Sequence, residues 1–456
     1  MTEAALAAVV AQLRVAVGSA VSVEAEALDA ARTDKSGHVS ATAPLAVVTA
    51  RSIGDVQAVM RLASARGVPV VTRGAGTGLA GGAIASAGEI VLSTLAMNRI
   101  LELSVADELA VVEPGVINGD LNDALREHSL WFAPDPASRA ISTIGGNIAT
   151  NAGGLLCAKY GVTREAVLGL KVVLADGRLL TLGHRSVKGV TGLDLTALII
   201  GSEGTLGAIV EATLRLRPLP RGETATIGAY FPSIAAAAGA SAAITAAGIA
   251  PAVMELLDAS SLRAIDAHLG LELSQRGAAY LLVQTDGAAS ASEADEAVRI
   301  IRSHGGTAES TTDASEGERL LAVRRAFHPS LEAQGTVLIE DVAVPRSRLP
   351  EMFAAIGELE GRYGITIPTV AHAGDGNLHP NFLLDGPVVP ERIWEAAGEL
   401  FAAALELGGT LTGEHGVGIL KKRWLGDELG ADQLELQREI KRVFDPQGIL
   451  NPGKVL

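Results

Sequence analysis

The sequence predicts an α+β protein in two parts, and three observations carry that prediction. From Leu45 onward, short apolar runs alternate with helical and glycine-rich stretches. "LAVV", "VPVVT", "EIVLST", "LAVVEPG", "GLKVVLADGR" and "ALIIGSEG" read as strands, with a helix around Asp55 to Arg66, so the first part is mixed α/β. Residues 214–223, "LRLRPLPRGE", break this texture with two prolines and mark a boundary. Beyond it, "TATIGAYFPS", "AVMELLDASS" and "AAYLLVQTDG" alternate with helical stretches at 234–247 and 291–304, the spacing of an antiparallel sheet with helices on one face. The expected layout is an N-terminal helical segment 1–40, a first domain 41–218, a second domain 219–410 and a C-terminal segment 411–456 returning to the first.

Composition narrows the function. A chain of 456 residues, 48% apolar and 20% charged, can bury large cores without covalent help. Cys157 is the single cysteine, which excludes an internal disulfide and any cysteine-built zinc or iron–sulfur centre. Redox chemistry would need a bound organic cofactor or metal. A formal charge of −15 argues against nucleic acid as a partner, because phosphate contacts require clustered Lys and Arg. The apolar N-terminus carries Glu3 where a signal peptide needs basic residues, and Gln12 and Arg14 interrupt it. It reads as a surface helix with Leu6, Val9, Val10, Leu13 and Val17 on one face. A cytoplasmic location is expected, with peripheral contact at the inner membrane face left open.

Glycine loops supply the strongest local signal. In "VPVVTRGAGTGLAGGA", residues 68–83, five glycines fall between Gly74 and Gly82, so backbone N–H groups can converge on an anionic oxygen after a strand. A dinucleotide site of the Rossmann kind needs a helix at once after the loop. Here the next strand starts near Glu89, so this loop would cradle phosphate in another way. Two further stretches, "PDPASRAISTIGGNIATNAGG" at 134–154 and "GSEGTLGAI" at 201–209, share its style.

Two histidines flank an Asp-Gly pair in "AHAGDGNLHPNF", residues 371–382. A two-residue type I′ turn at Asp375-Gly376 would set His372 directly opposite His379, with Asn381 on the same sheet face. Such a pair could ligate one ion or could be an ordinary cross-strand contact. "TGEHG" adds Glu414 and His415, and "LLAVRRAFHPS" adds the adjacent arginines Arg324 and Arg325.

Together the three glycine stretches and "RVFDPQGILNPGK" resemble the FAD-binding fold of the vanillyl-alcohol oxidase superfamily. More closely they are similar to its FAD-linked D-2-hydroxyacid dehydrogenase branch, from about Asp34 to the C-terminus. The resemblance implies non-covalent FAD, since the histidine that often carries covalent flavin in the pyrophosphate loop is missing. It implies a pyrophosphate cradle at Arg73, Gly74, Ala75, Gly76, Thr77 and Gly78. Asp135, Ser138, Thr143, Gly145, Gly146, Glu203, Gly207, Ile209 and Asn451 would line the rest of the cofactor. "HAGDGNLH" and "TGEHG" look like the branch's metal signatures, which makes His372, His379 and Glu414 ligands to zinc or manganese and His415 the general base. Arg324 would pair with the substrate carboxylate and Asn381 would help place the substrate. The implied reaction is oxidation of a D-2-hydroxyacid. Ile339 stands where 2-hydroxyglutarate dehydrogenases carry a lysine, which favours D-lactate or glycolate. The electron acceptor would be a quinone, a cytochrome or a partner redox protein, and a homodimer is compatible with the sequence. A flavin-dependent non-redox transferase like alkyl-glycerone-phosphate synthase is the alternative from another class.

Overall fold

The computed structural model describes residues 2–386 and 388–456. The chain divides into two compact units: residues 1–153, 161–219 and 414–456 form the first, and residues 154–160 with 220–413 form the second. Within the first unit, residues 21–22 pair with residues 47–48 and so add a short strand to its sheet.

The first unit carries two sheets and a short ribbon. Strands β1 (Val21–Ser22), β2 (Ala46–Thr49), β3 (Val70–Arg73) and β4 (Ile90–Ser93) form one sheet in the order β1-β2-β4-β3, with β4 parallel to both β2 and β3. The helix Ile53–Arg66 makes the β2 to β3 crossover. Ser52 starts it by accepting from the Asp55 N–H at 3.2 Å, and Gly67 ends it in the left-handed region at φ 61°. Its Val56, Val59, Met60 and Ala63 share a core with Val9 and Leu13 of the N-terminal helix Glu3–Val17, two of the residues assigned to that helix's apolar face. Strands β5 (Ile100–Ser104), β6 (Leu109–Val112), β8 (Val167–Val173), β9 (Leu179–Gly183) and β10 (Ala208–Arg215) form an antiparallel sheet in the order β5-β6-β10-β8-β9. Strands β7 (Leu130–Trp131) and β11 (Arg217–Pro218) pair separately.

One expected strand is a helix. "ALIIGSEG", residues 197–204, begins inside the helix Leu195–Ile199, which is started by the Asp194 carboxylate accepting from the Ala197 N–H at 3.0 Å. A run of four apolar residues has no readable period, so the capping side chain decides the outcome.

The second unit is built on an eight-stranded sheet. Strands β12 (Ala225–Phe231), β13 (Val253–Asp258), β14 (Ala279–Thr285), β15 (Thr307–Thr311), β16 (Thr336–Ile339), β18 (Thr369–His372) and β19 (Asn377–Leu384) run in the order β15-β12-β14-β13-β18-β19-β16, and β17 (Val342–Ala343) also pairs with β19. Every pairing in it is antiparallel, as expected. The helices, however, cover both faces and not one. On the first face the helix Ala314–Arg325 lies so close that a Cβ at Gly228 would come 2.7 Å from Leu320 Cδ2, and the Tyr280 hydroxyl donates to the Leu320 carbonyl at 3.0 Å. On the opposite face Phe231 meets Ile301 of the helix Ser290–Ser303 around Gly306. Strand β12 is buried along its whole length, and such unalternating burial requires cover on both sides.

Asp258 caps the helix Ala259–Leu269, its carboxylate accepting from the Ser261 N–H at 2.7 Å and the Thr369 N–H at 3.1 Å. Burial nevertheless pushes its carboxyl up to about 6 from 3.8. A raised folded-state value means the fold holds this proton more tightly than the unfolded chain does. The associated stability is complete below about pH 4 and is lost as pH rises toward 6, on the order of 3 kcal/mol in total. Thermal melts of the wild type and Asp258→Asn between pH 4 and 7 are therefore expected to diverge, with the wild type losing ground as pH rises. The opposite trend would refute this account.

Candidate active site

In the first unit, β3 ends at Arg73 and no helix follows before β4, which matches the exclusion of a Rossmann crossover. Among the described residues, the backbone N–H groups of residues 74–79 donate no hydrogen bond. These residues are half-buried. A run of amides without partners in a glycine loop is a concavity for an anion. The Arg73 side chain braces that loop from within: its guanidinium donates to the Ala83 carbonyl at 2.8 Å and the Ala30 carbonyl at 3.3 Å. A Cβ at Gly76, whose φ is 68°, would come 2.2 Å from Arg73 Nη2. Gly76→Ala is accordingly expected to cost both φ strain and the brace. The purified variant should lose most of its flavin, read from the absorbance ratio at 450 and 280 nm.

The second loop is pressed against the first. A Cβ at Gly74 would sit 2.4 Å from Thr143 Oγ1, and Thr143 caps the helix Ile144–Thr150 by accepting from the Gly146 N–H at 3.1 Å. Gly145 is equally obligate, since its Cβ would lie 2.6 Å from Pro114 Cβ. Ala75, Thr77 and Gly78 lie along the amide run, Asp135 lies in the irregular stretch that follows β7, and Ser138 lies in the turn before the helix. Glu203 and Asn451 tie three distant segments together. The Glu203 carboxylate accepts from the Val417 N–H at 2.7 Å and the Gly418 N–H at 2.9 Å, while Asn451 Nδ2 donates to the carbonyls of Gly82 at 3.0 Å and Glu203 at 2.7 Å. Burial pushes the Glu203 carboxyl up to about 7 despite those two donors. Gly207 is a packing glycine whose Cβ would strike Val172 Cγ1 at 2.5 Å, and Ile209 belongs to the apolar core. Glu414 rests against Gly153, and half-buried His415 follows it.

In the second unit the hairpin of β18 and β19 differs from the expected one. His372 pairs with Asn377, and His379 pairs with Val370, so the two histidines are not opposed. The loop is four residues, 373–376, and both the Asp375 and Gly376 N–H groups donate to the His372 carbonyl, at 3.2 and 2.9 Å. A neighbouring strand explains the change. Val344, just past β17, donates to the Gly376 carbonyl at 3.0 Å, so close that a Cβ at Gly376 would stand 2.1 Å from the Val344 carbonyl oxygen. Because the shift is even, His372 and His379 still share a face as diagonal neighbours, with ring centroids 5.0 Å apart. Their ring nitrogens come within 4.8 Å of one another.

That face carries more than the sequence suggested. Glu255 of β13 pairs in register with His372, and its carboxylate accepts from His372 Nδ1 at 2.6 Å and from Arg324 Nε at 2.6 Å. Asp341 lies 3.7 Å from His379 Nδ1 and accepts from Asn377 Nδ2 and Thr412 Oγ1, both at 2.6 Å. Asn381 is fully buried: its Nδ2 donates to the carbonyls of Pro368 and His379, while its Oδ1 has no partner among the described residues. Ile339 pairs with Asn381 and so projects from the same face. Burial alone would raise the Glu255 carboxyl, but the charges of His372 and Arg324 outweigh it and hold the group below the usual carboxylate range. Arg325 points away, ion-paired with Glu318 on the surface.

Glu255 and Asp341 have no motif around them. The available signal for Glu255 was one acid inside the apolar strand "VMELL", a residue type almost never fully buried without a partner.

The two buried imidazoles fit a metal. His372 gives Nδ1 to Glu255, the arrangement that makes Nε2 the ligating atom, and His379 Nδ1 lies 3.7 Å from Asp341. In the first unit, the amide run and the close-packed glycines fit a dinucleotide pyrophosphate.

The fold is that of flavoproteins of the vanillyl-alcohol oxidase type. A crystal structure of p-cresol methylhydroxylase with substrate bound superposes at a TM-score of 0.81 with 19% identity, covering 100% of this chain and 97% of the other. The chain belongs to the FAD-linked oxidases: residues 221–455 match the family described as FAD linked oxidases, C-terminal domain, and residues 44–183 match the FAD binding domain. It is an FAD-dependent oxidoreductase. Among its relatives, glycolate oxidase subunit GlcD of Bacillus subtilis is 41% identical, with 90% of this chain and 89% of the relative aligned. A D-lactate dehydrogenase of Archaeoglobus fulgidus is 37% identical over 90% of this chain and 91% of its own.

Proposed function

We propose that the protein oxidises a small D-2-hydroxyacid to the 2-oxoacid, with D-lactate or glycolate preferred to 2-hydroxyglutarate. The observation that carries this reading is the buried face holding His372, His379 and Arg324. The names of the two relatives support hydroxyacid oxidation. Arg324 spends only Nε on Glu255, and its two terminal nitrogens make no bond to the described residues. That free edge of the guanidinium suits a bidentate carboxylate. Ile339 adds an apolar neighbour to Asn381, which suits a short substrate better than one with a second carboxylate.

We assign metal ligation to His372, His379 and Glu414, and proton abstraction to His415. When bound, FAD accepts the hydride equivalent from Cα, and a divalent ion such as zinc or manganese acidifies the α-hydroxyl. His415 takes the hydroxyl proton onto a ring nitrogen, a task suited to an imidazole near neutral pH. Arg324 fixes the carboxylate, and Asn381 helps to place the substrate. Electrons then leave to a quinone, a cytochrome or a partner redox protein.

An anaerobic screen of D-lactate, glycolate, D-2-hydroxyglutarate and D-malate, read by bleaching at 450 nm with and without a chelator, tests the reading. D-lactate or glycolate is expected to bleach the flavin fastest, with the rate lost on chelation. A rate untouched by the chelator would remove the metal from the scheme, and no bleaching by any of the four would remove the substrate class.

A further inference from the structure

Glu255 is fully buried in the middle of a sheet, and each of its oxygens is already committed. Oε1 accepts from His372 Nδ1 and Oε2 from Arg324 Nε, both at 2.6 Å. His372 lies 117 positions along the chain from Glu255 and Arg324 lies 69. Strand register and helix packing therefore converge on one carboxylate. We infer that Glu255 is a positioning residue that sets two groups at once: by holding Nδ1 it fixes the orientation of the His372 ring and so the direction in which Nε2 points, and by holding Nε it fixes the Arg324 fork. This rests on the metal and carboxylate roles proposed for His372 and Arg324.

The chemistry requires a charged, two-oxygen group at this point. A carboxylate accepts from both neighbours, whereas an amide offers one acceptor and turns its NH₂ against the other donor. Asp341 is the useful contrast. It is held by Asn377 and Thr412 and stands 3.7 Å from His379 Nδ1, while the Arg324 guanidinium is held by Glu255. Loss of Glu255 therefore perturbs metal and carboxylate binding together, while loss of Asp341 perturbs metal binding alone.

The test uses the FAD-loaded protein. Zinc affinity is measured by competition with a chromophoric chelator. Propionate affinity is measured by ligand-observed NMR on chelator-stripped protein. Glu255→Gln is expected to weaken zinc binding by about 10- to 100-fold, the usual effect of removing the partner behind a ligating histidine, and propionate binding by about tenfold. Glu255→Asp should recover part of both, and Asp341→Asn should weaken zinc alone. A Glu255→Gln protein that keeps its flavin and binds both ligands within about twofold of wild type would overturn the inference, even if its melting temperature fell. So would loss of only one of the two affinities. His372→Ala serves as the control. If it binds zinc as the wild type does, the metal reading fails, and the inference is then decided by propionate alone, with a tenfold loss supporting it and an unchanged affinity refuting it.

Discussion

His415→Ala is expected to retain FAD and to lose about 10²- to 10⁴-fold in the rate of flavin reduction by substrate, the range a positioned general base supplies. Stopped-flow reduction under anaerobic conditions measures it. The loss should be greatest at neutral pH and smaller at high pH, where hydroxide competes as the base. His415 lies one residue from Gly416, which is pressed against the Glu203 carboxylate, so flavin content has to be measured alongside the rate. A variant with full flavin and a wild-type rate would remove His415 from the mechanism.

Glu255→Ala is expected to carry a large stability effect in the second unit. Removing the carboxylate leaves the Arg324 guanidinium and the His372 ring buried without their shared partner. Breaking a buried pair by deleting one member costs about 3–5 kcal/mol. For a unit of this size that corresponds to a fall of roughly 6–20 °C in the unfolding midpoint of that unit. Differential scanning calorimetry of the flavin-loaded protein would register it, and a shift below about 2 °C would show that the pair contributes little. Replacing both Glu255 and Arg324 by apolar residues of similar volume should recover much of the loss, because the cost comes from the stranded charge and not from the missing attraction.

Much of this architecture was legible in the sequence, for reasons that differ by element. The loop after β3 could be separated from a Rossmann turn because chain length alone leaves no room for a helix before Glu89. The second sheet was visible in its strand runs, but its two-sided cover was not inferred, although "TATIGAYF" lacks the alternation that a half-exposed strand shows. The histidine hairpin was placed on the right face in the wrong register. Asp-Gly favours a two-residue turn locally, and only the hydrogen bond from Val344, supplied by a strand 34 residues upstream of the hairpin's second arm, selects the four-residue loop. Glu255 and Asp341 stayed hidden for the same reason: their partners are chosen by strand register, and no local pattern encodes it.

The hairpin loop also sets a rule for descent. Side chains alternate faces along a strand, so a slip of β19 by one residue against β18 would turn His379, Asn377 and Asn381 to the opposite side of the sheet. A slip of two residues would slide them along the same face. Among natural variants of this chain, insertions and deletions between 373 and 376 should therefore be tolerated only where the loop absorbs them without a one-residue slip of β19. Gly376, held against Val344, marks the end of the loop where such changes have least room.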